Sequence, residues 1–295
     1  MTVQTSTYSH LPSDCPQGRI SLRRFRRASL SALALICAPI TAQAQNGPPP
    51  LSNDWSVSVG GGVLVSPNYL GDDAYSVSTL PFIRVTKGDR FFASVQEGAG
   101  YSVIETDTFR AGPLITLEFG RDEDGGSPFR IAGDQTTDLI GLGDIDTTIG
   151  LGAFAEIEFG KFSLSAKAAK AVSGHDGLTG ELALRYKGVL TGYGPPLIYS
   201  FGPSVDFGDD TYSNAYFGVT QTQSIESGLT PYTASSGVTK YGVSASGILP
   251  LTQSISANII LSYSRLAGDA ADAPLVTQRG TRDQAFAGLF LARKF

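Results

Sequence analysis

The stretch DIDTTIGLGAFAEIEFGKFSLSAKA, residues 144–168, alternates with a period of two. Ile145, Thr147, Ile149, Leu151, Ala153, Ala155, Ile157 and Phe159 form one set. Asp144, Asp146, Thr148, Gly150, Gly152, Phe154, Glu156 and Glu158 form the other. Gly160 and Lys161 then reverse the chain, and a second alternating run starts at Phe162. The pattern predicts a β-hairpin with one apolar and one polar face. The reading of the fold turns on what each face meets.

The N-terminus narrows the answer. Arg19, Arg23, Arg24, Arg26 and Arg27 form a basic cluster, an apolar run follows from Ala28 to Ile40, and Ala42-Gln43-Ala44 closes it. Basic, apolar and small-x-small, in that order, is the pattern of a secretory signal peptide with cleavage after Ala44. The apolar run is shorter than the roughly 20 residues of a spanning helix. Both cysteines, Cys15 and Cys37, precede that site. Ile36 stands before Cys37 where a lipid-attachment site needs a small residue. The exported chain is therefore expected to carry neither disulfides nor catalytic thiols.

The whole chain has a formal net charge of −5. Loss of the five arginines together with Asp14 makes the exported part more acidic still. It has no basic stripe of the kind that nucleic-acid binding requires.

The organisation expected is an N-terminal extension and signal peptide over 1–44, a flexible lead-in over 45–53, and one β domain over 54–295. About twelve alternating segments are read: 55–66, 75–87, 90–106, 109–121, 144–159, 162–173, 178–191, 196–208, 211–222, 237–250, 252–266 and 282–295. Gly98 and Gly100 could divide the third. A soluble sandwich predicts strands of about 5–6 residues. These runs suit membrane-spanning strands, which need about 9–11 at their tilt. Thirty-five glycines and twelve tyrosines fit a curved sheet with aromatic girdles. Phe295 is the usual last residue of such a chain, although Arg293 departs from the apolar pattern. The fold class is all-β, a transmembrane antiparallel up-and-down β-barrel of the outer membrane.

In that barrel Ile145, Ile149, Leu151, Ile157 and Phe159 face lipid. Asp146, Glu156, Glu158, Glu181, Arg185 and Lys187 face the lumen, which holds charges of both signs. Such a lumen suits either a water-filled pore or a space closed by salt bridges. Strand parity, with both termini periplasmic, sets 66–73, 223–236 and 267–282 outside. It sets 87–89, 173–177 and 250–252 on the periplasmic side. The same count assigns the long acidic segment 121–143 to the periplasm, against the rule of short turns there. Either 90–106 is two strands and the sides exchange, or the segment is a projection whose Arg121, Asp122, Glu123 and Asp124 dock a periplasmic partner.

The motifs PNYLGDD (67–73), GDRFF (88–92), FGRDED (119–124), GLGDIDTT (141–148), GAFAE (152–156), GHDG (174–177), FGPS (201–204), YFGV (216–219) and RLAGDAADAP (265–274) occur in this order. Together they resemble the MipA/OmpV family, the MltA-interacting outer-membrane proteins, over about residues 53–295. The resemblance implies a barrel in the outer membrane. It also implies a scaffold that couples a murein hydrolase, a lytic transglycosylase, to a murein synthase. Other members resemble porins or adhesins. The family offers no catalytic residues to carry over.

Enzymatic chemistry finds little support. His175 is the single histidine after the signal, set in Gly174-His175-Asp176-Gly177 beside Ser173. Turn chemistry accounts for those residues with His175 exposed. Asp122, Glu123 and Asp124 lack the alternating spacing of a calcium loop. The glycine clusters at 60–62 and 141–143 precede no helix that would make a phosphate site. The expectation is a protein that is not an enzyme and holds neither cofactor nor metal.

Overall fold

A computed structural model describes residues 54–295 except Pro128 and Tyr193. The signal-peptide reading, the site after Ala44 and the lead-in lie outside the described residues. Fourteen strands run in chain order. They are β1 (Trp55–Pro67), β2 (Tyr75–Lys87), β3 (Phe91–Ser94), β4 (Gly98–Tyr101), β5 (Ile104–Glu105), β6 (Phe109–Glu118) and β7 (Arg130–Ala132). There follow β8 (Thr148–Phe159), β9 (Phe162–Ala171), β10 (Leu178–Leu190), β11 (Leu197–Gly208), β12 (Gly237–Pro250), β13 (Ile255–Leu266) and β14 (Asp283–Lys294). Four short helices interrupt them: α1 (Asp210–Phe217), α2 (Gln221–Ser227), α3 (Gly268–Asp272) and α4 (Pro274–Arg279).

Sequential strands pair antiparallel, and β1 pairs with both β2 and β14, which closes the sheet. Twelve strands form the ring, with β5 added to β6 and β7 to β2. Closure of the ring through β1 gives its long strands hydrogen-bonded neighbours on both sides, the arrangement that backbone in hydrocarbon requires.

The opening stretch is the β8–β9 hairpin. Phe159 pairs with Phe162 across a two-residue turn in which Gly160 has φ +64°, as tight hairpins require. Ile149, Leu151, Ile157 and Phe159 are exposed on the outer face. β8 begins only at Thr148. Ile145 is therefore not on the lipid face; it lies in the preceding loop, exchanging backbone hydrogen bonds with Arg121.

Two of the expected segments change, and their effects cancel in the count. Residues 90–106 divide at a turn between Ser94 and Gly98, where Glu97 N–H donates to Ser94 Oγ and Gly98 takes φ +78°. Residues 211–222 are helical. Asp209 caps α1 by accepting from Tyr212 N–H, and Thr220 and Gln223 form a capping box on α2.

The divided segment also settles the sides. The hairpin of β3 and β4 is short and pairs with β2 only at Arg84–Lys87. Farther along, β2 pairs with β7, which the 121–143 segment returns to the wall, and Thr79 N–H donates to Phe129 O. Pro81, with no N–H to donate, sits between the two ladders. Segments 121–143 and 173–177 both lie at the end away from Trp55 and Phe295, with 66–73, 223–236 and 267–282. Neither is on the side of the termini, contrary to the parity count.

Aromatic residues ring the outer face at both ends. Phe159, Phe162, Tyr186 and Tyr199 form a contacting cluster at one end, and Tyr75, Tyr241 and Tyr263 are exposed near the other. Such girdles mark membrane interfaces.

Candidate functional site

The interior has two unlike halves. From β14 through β1, β2, β3 and β6 to β8, large inward apolar side chains such as Leu64, Phe82, Leu114, Phe154 and Phe290 pack among inward glycines and polar residues. Phe82 and Phe290 pack at 5.8 Å between centroids, and Phe92 and Phe154 at 5.3 Å. Leu114 and Phe290 are 1% exposed, so that side of the lumen is filled. Along β10 to β13 the inward positions carry Ser200, Ser204, Ser244, Ser246, Ser262, Ser264 and Asn258, while Ile260 of β13 packs against the Phe82 and Phe290 cluster.

Charged side chains lie near both ends of the inner wall. Near the termini, Glu156 on β8 accepts from Arg110 Nε at 2.9 Å and from Lys187 Nζ at 3.0 Å, and Lys187 also reaches Glu158 at 2.7 Å. The Glu156 side chain is 11% exposed, so its two cations supply what desolvation removes. Near the other end, register places Glu181 beside Asp206 and Asp206 beside Lys240. Arg185 lies four residues along β10, and these groups line a polar cavity of about 170 Å³.

Of the residues expected in the lumen, Glu156, Glu158, Glu181, Arg185 and Lys187 occupy inward positions. Asp146 does not. It is exposed in the loop before β8, because the strand starts at Thr148.

A folded cap covers the end away from the termini. Phe217, Leu266, Ala273 and Val276 form one buried cluster, and Tyr69, Leu139, Leu142, Val219, Leu229 and Leu275 another. Arg279 of α4 donates to the Asp138 and Ser227 carbonyls. Gln284, inward on β14, accepts from Gly71 N–H and donates to Asp72 O, fixing the first loop to the barrel. Burial raises the Asp72 carboxyl above the usual range, although hydrogen bonds from Ala74 N–H and Asn68 oppose it. Burial pushes the Tyr216 hydroxyl up to about 12 and that of Tyr212 higher.

The acidic loop residues serve this cap. Glu123 Oε2 accepts from Gly141 and Gly143 N–H, and Asp122 Oδ1 accepts from Asp124 N–H. Arg121 Nη1 donates to Tyr216 O, and burial lowers the guanidinium pKa. Among the described residues, no group of three or more His, Cys, Asp or Glu is placed to hold a metal ion.

His175 is buried, not exposed. Its Nδ1 accepts from Gly177 N–H at 2.9 Å, its Nε2 faces Glu118 at 3.5 Å, and its ring lies edge-on to Tyr212 and Tyr216. Ser173 Oγ accepts from Ile149 N–H. Both residues are thus built into the joint between rim and cap, with His175 Nδ1 engaged by Gly177 N–H. The cap core was not apparent in the sequence because its residues come from four loops. The Asp209 cap and the Thr220/Gln223 box were the available signals.

A closed antiparallel barrel with an apolar outer belt, aromatic girdles and a charged interior defines an outer-membrane β-barrel protein. The family described as "MltA-interacting protein MipA" matches residues 59–295. The chain belongs to that family, as its motifs indicated. A search of curated proteins finds no match. Among solved structures, the COG4313 outer membrane channel from Pseudomonas putida F1 is similar at 12% identity and TM-score 0.42, over 84% of this chain and 99% of that one. Pseudomonas putida OprB aligns at 14% identity and TM-score 0.35, over 75% and 59%. The anion-selective porin from Comamonas acidovorans aligns at 10% identity and TM-score 0.29, over 82% and 99%.

Proposed function

We propose that this protein is a non-catalytic, capped diffusion channel for small polar solutes. The observation that carries the reading is the division of the lumen. A pore needs one continuous hydrophilic side, and the inward faces of β10 to β13 provide serine hydroxyls between two charged clusters. A barrel meant only as an inert plug could fill both halves with apolar side chains. The cap over one end then limits flux, and cap opening sets the conducting fraction of time. Bilayer recordings test this. Stepwise conductance whose cation preference falls on Glu156→Gln and Glu158→Gln supports the channel; silence from the folded barrel removes it.

The family description favours a second reading, a scaffold that binds a murein hydrolase and couples it to a murein synthase. With both termini periplasmic, the available surface is the set of turns beside Trp55 and Phe295, including residues 88–90, 102–108 and 251–254. The loop carrying Arg121, Asp122, Glu123 and Asp124 belongs to the other end. Capture of a purified lytic transglycosylase by the folded barrel, lost when Asp89 and Arg90 are reversed in charge, supports the scaffold. Unchanged capture counts against that surface.

A further inference from the structure

The outer wall carries a depression where β11 to β14 and β1 run side by side. Register sets Phe201, Ala245, Leu261, Ala287 and Val65 in one outward row. One row nearer the cap, Tyr263 stands beside Ala285. Leu261 and Tyr263 are half exposed and form a ridge along β13. The alanines leave a trough on each side of that ridge, one over β12 and one over β14. Tyr75 closes the far side of the second trough, its hydroxyl accepting from Ala285 N–H at 3.0 Å. Together these residues line an apolar depression of about 820 Å³.

The ridge ends in charge. Arg265, the next outward residue of β13, donates through Nη1 to Asp283 at 2.6 Å, and Tyr263 donates to the same carboxylate at 2.7 Å. The guanidinium is thereby held over the end of the ridge. Its Nε and Nη2 donate to nothing among the described residues. Tyr241, the cross-strand neighbour of Arg265, adds an exposed hydroxyl.

The dimensions narrow the occupant. From Asp283 to Leu289, β14 rises about 20 Å. At the roughly 45° tilt of membrane strands that is about 14 Å of depth, close to half of the ~30 Å hydrocarbon core. The strands that flank β14, β13 and β1, lie two strand spacings apart, about 9.5 Å. The trough between them has room for one hydrocarbon chain and none for a second sheet.

We infer that this depression seats a phosphate-bearing lipid with paired acyl chains, drawn from the leaflet on the cap side. One chain lies in each trough, astride Leu261 and Tyr263. The phosphate takes the unused edge of Arg265, and the hydroxyls of Tyr75 and Tyr241 stand at the level of the ester groups. The rival occupant is a second copy of the barrel. Its convex wall would rest on the ridge and leave both troughs empty, forfeiting their dispersion contacts. The inference concerns the outer wall and stands apart from the channel reading.

Native mass spectrometry of the folded barrel in detergent micelles tests it, with dimyristoylphosphatidylglycerol and dimyristoylglycerol as probes. One phosphatidylglycerol is expected to stay bound per barrel. Dimyristoylglycerol, with the same chains and no phosphate, should be retained at least about fivefold less. Ala287→Phe, which fills one trough, and Arg265→Gln should each reduce phosphatidylglycerol retention at least about fivefold. Ile115→Phe, on the outer face of β6, should leave it unchanged. Heat-modifiable migration confirms that each variant is folded, and Ala245→Phe replaces Ala287→Phe if that chain does not fold. Absence of retained lipid, equal retention of the two probes, or full retention by the folded variants overturns the inference. A lipid-free dimer that Ala287→Phe dissociates assigns the depression to a second copy and overturns it as well.

Discussion

Glu156 on β8 and Lys187 on β10 meet at 3.0 Å across the inner face of β9, the strand between theirs. Arg110 on β6 reaches the same carboxylate from the other side. One acid thus ties together inward positions on three strands of the wall. Glu156→Gln keeps the shape, leaves Arg110 without its partner and leaves Lys187 with Glu158 alone. Because Arg110 and Lys187 retain contact with water, the expected loss is about 1–3 kcal/mol rather than the full cost of stranding buried charges. Glu158→Gln, whose side chain is 51% exposed, should cost under about 1 kcal/mol. Urea unfolding of both variants in micelles measures the contrast.

The cap should open independently of the barrel. Phe217 is fully buried in the cap cluster, and Phe217→Ala removes a core aromatic at a cost of about 3–5 kcal/mol. Hydrogen exchange is expected to quicken in α1 to α4 while β8 to β14 stay protected. Uniform loss of protection would mean that cap and wall unfold as one unit.

Asp72 gives the cap a pH dependence of definite sign. Its folded carboxyl titrates above the unfolded value because burial disfavours the charge. The folded state therefore binds more protons than the unfolded one between those two values, and cap stability falls as pH rises through that window. Asp72→Asn should flatten the slope, read as cap hydrogen exchange against pH from the ordinary carboxylate range upward.

The joint at His175 tests the structural reading of GHDG. Its buried ring fills the space between Tyr212 and Tyr216, so His175→Ala should loosen the cap by about 1–3 kcal/mol through lost packing. Phe at that position should restore packing better than Ala. Equal exchange rates in all three proteins would contradict the role.

The barrel was legible in the sequence because lipid outside and water inside impose a period of two on every strand. Ile149, Leu151, Ile157 and Phe159 could be assigned to one face without further information. The cap was not, because its core assembles Tyr69, Leu139, Phe217 and Val276 from segments far apart in the chain. Tyr212 and Tyr216 are spaced as readily for a helix as for a strand, and only the Asp209 cap separates the two. The division of 90–106 was visible as Gly98, yet its consequence appears only in three dimensions, where β7 fills the wall that the short hairpin leaves. Lumen charges were readable by parity, except Asp146, which falls just before the strand begins. Which of them are satisfied by partners depends on side-chain reach across strands, and alternation carries no trace of that.

In the proposed channel, the polar half of the lumen is an aqueous path limited by the cap. Single-channel recording of the folded protein beside Phe217→Ala in a planar bilayer tests it most directly. Brief, infrequent openings are expected for the native chain, and openings of the same unit conductance with a several-fold higher open probability for the variant. Silence from both, in preparations shown to be folded and inserted, would contradict it.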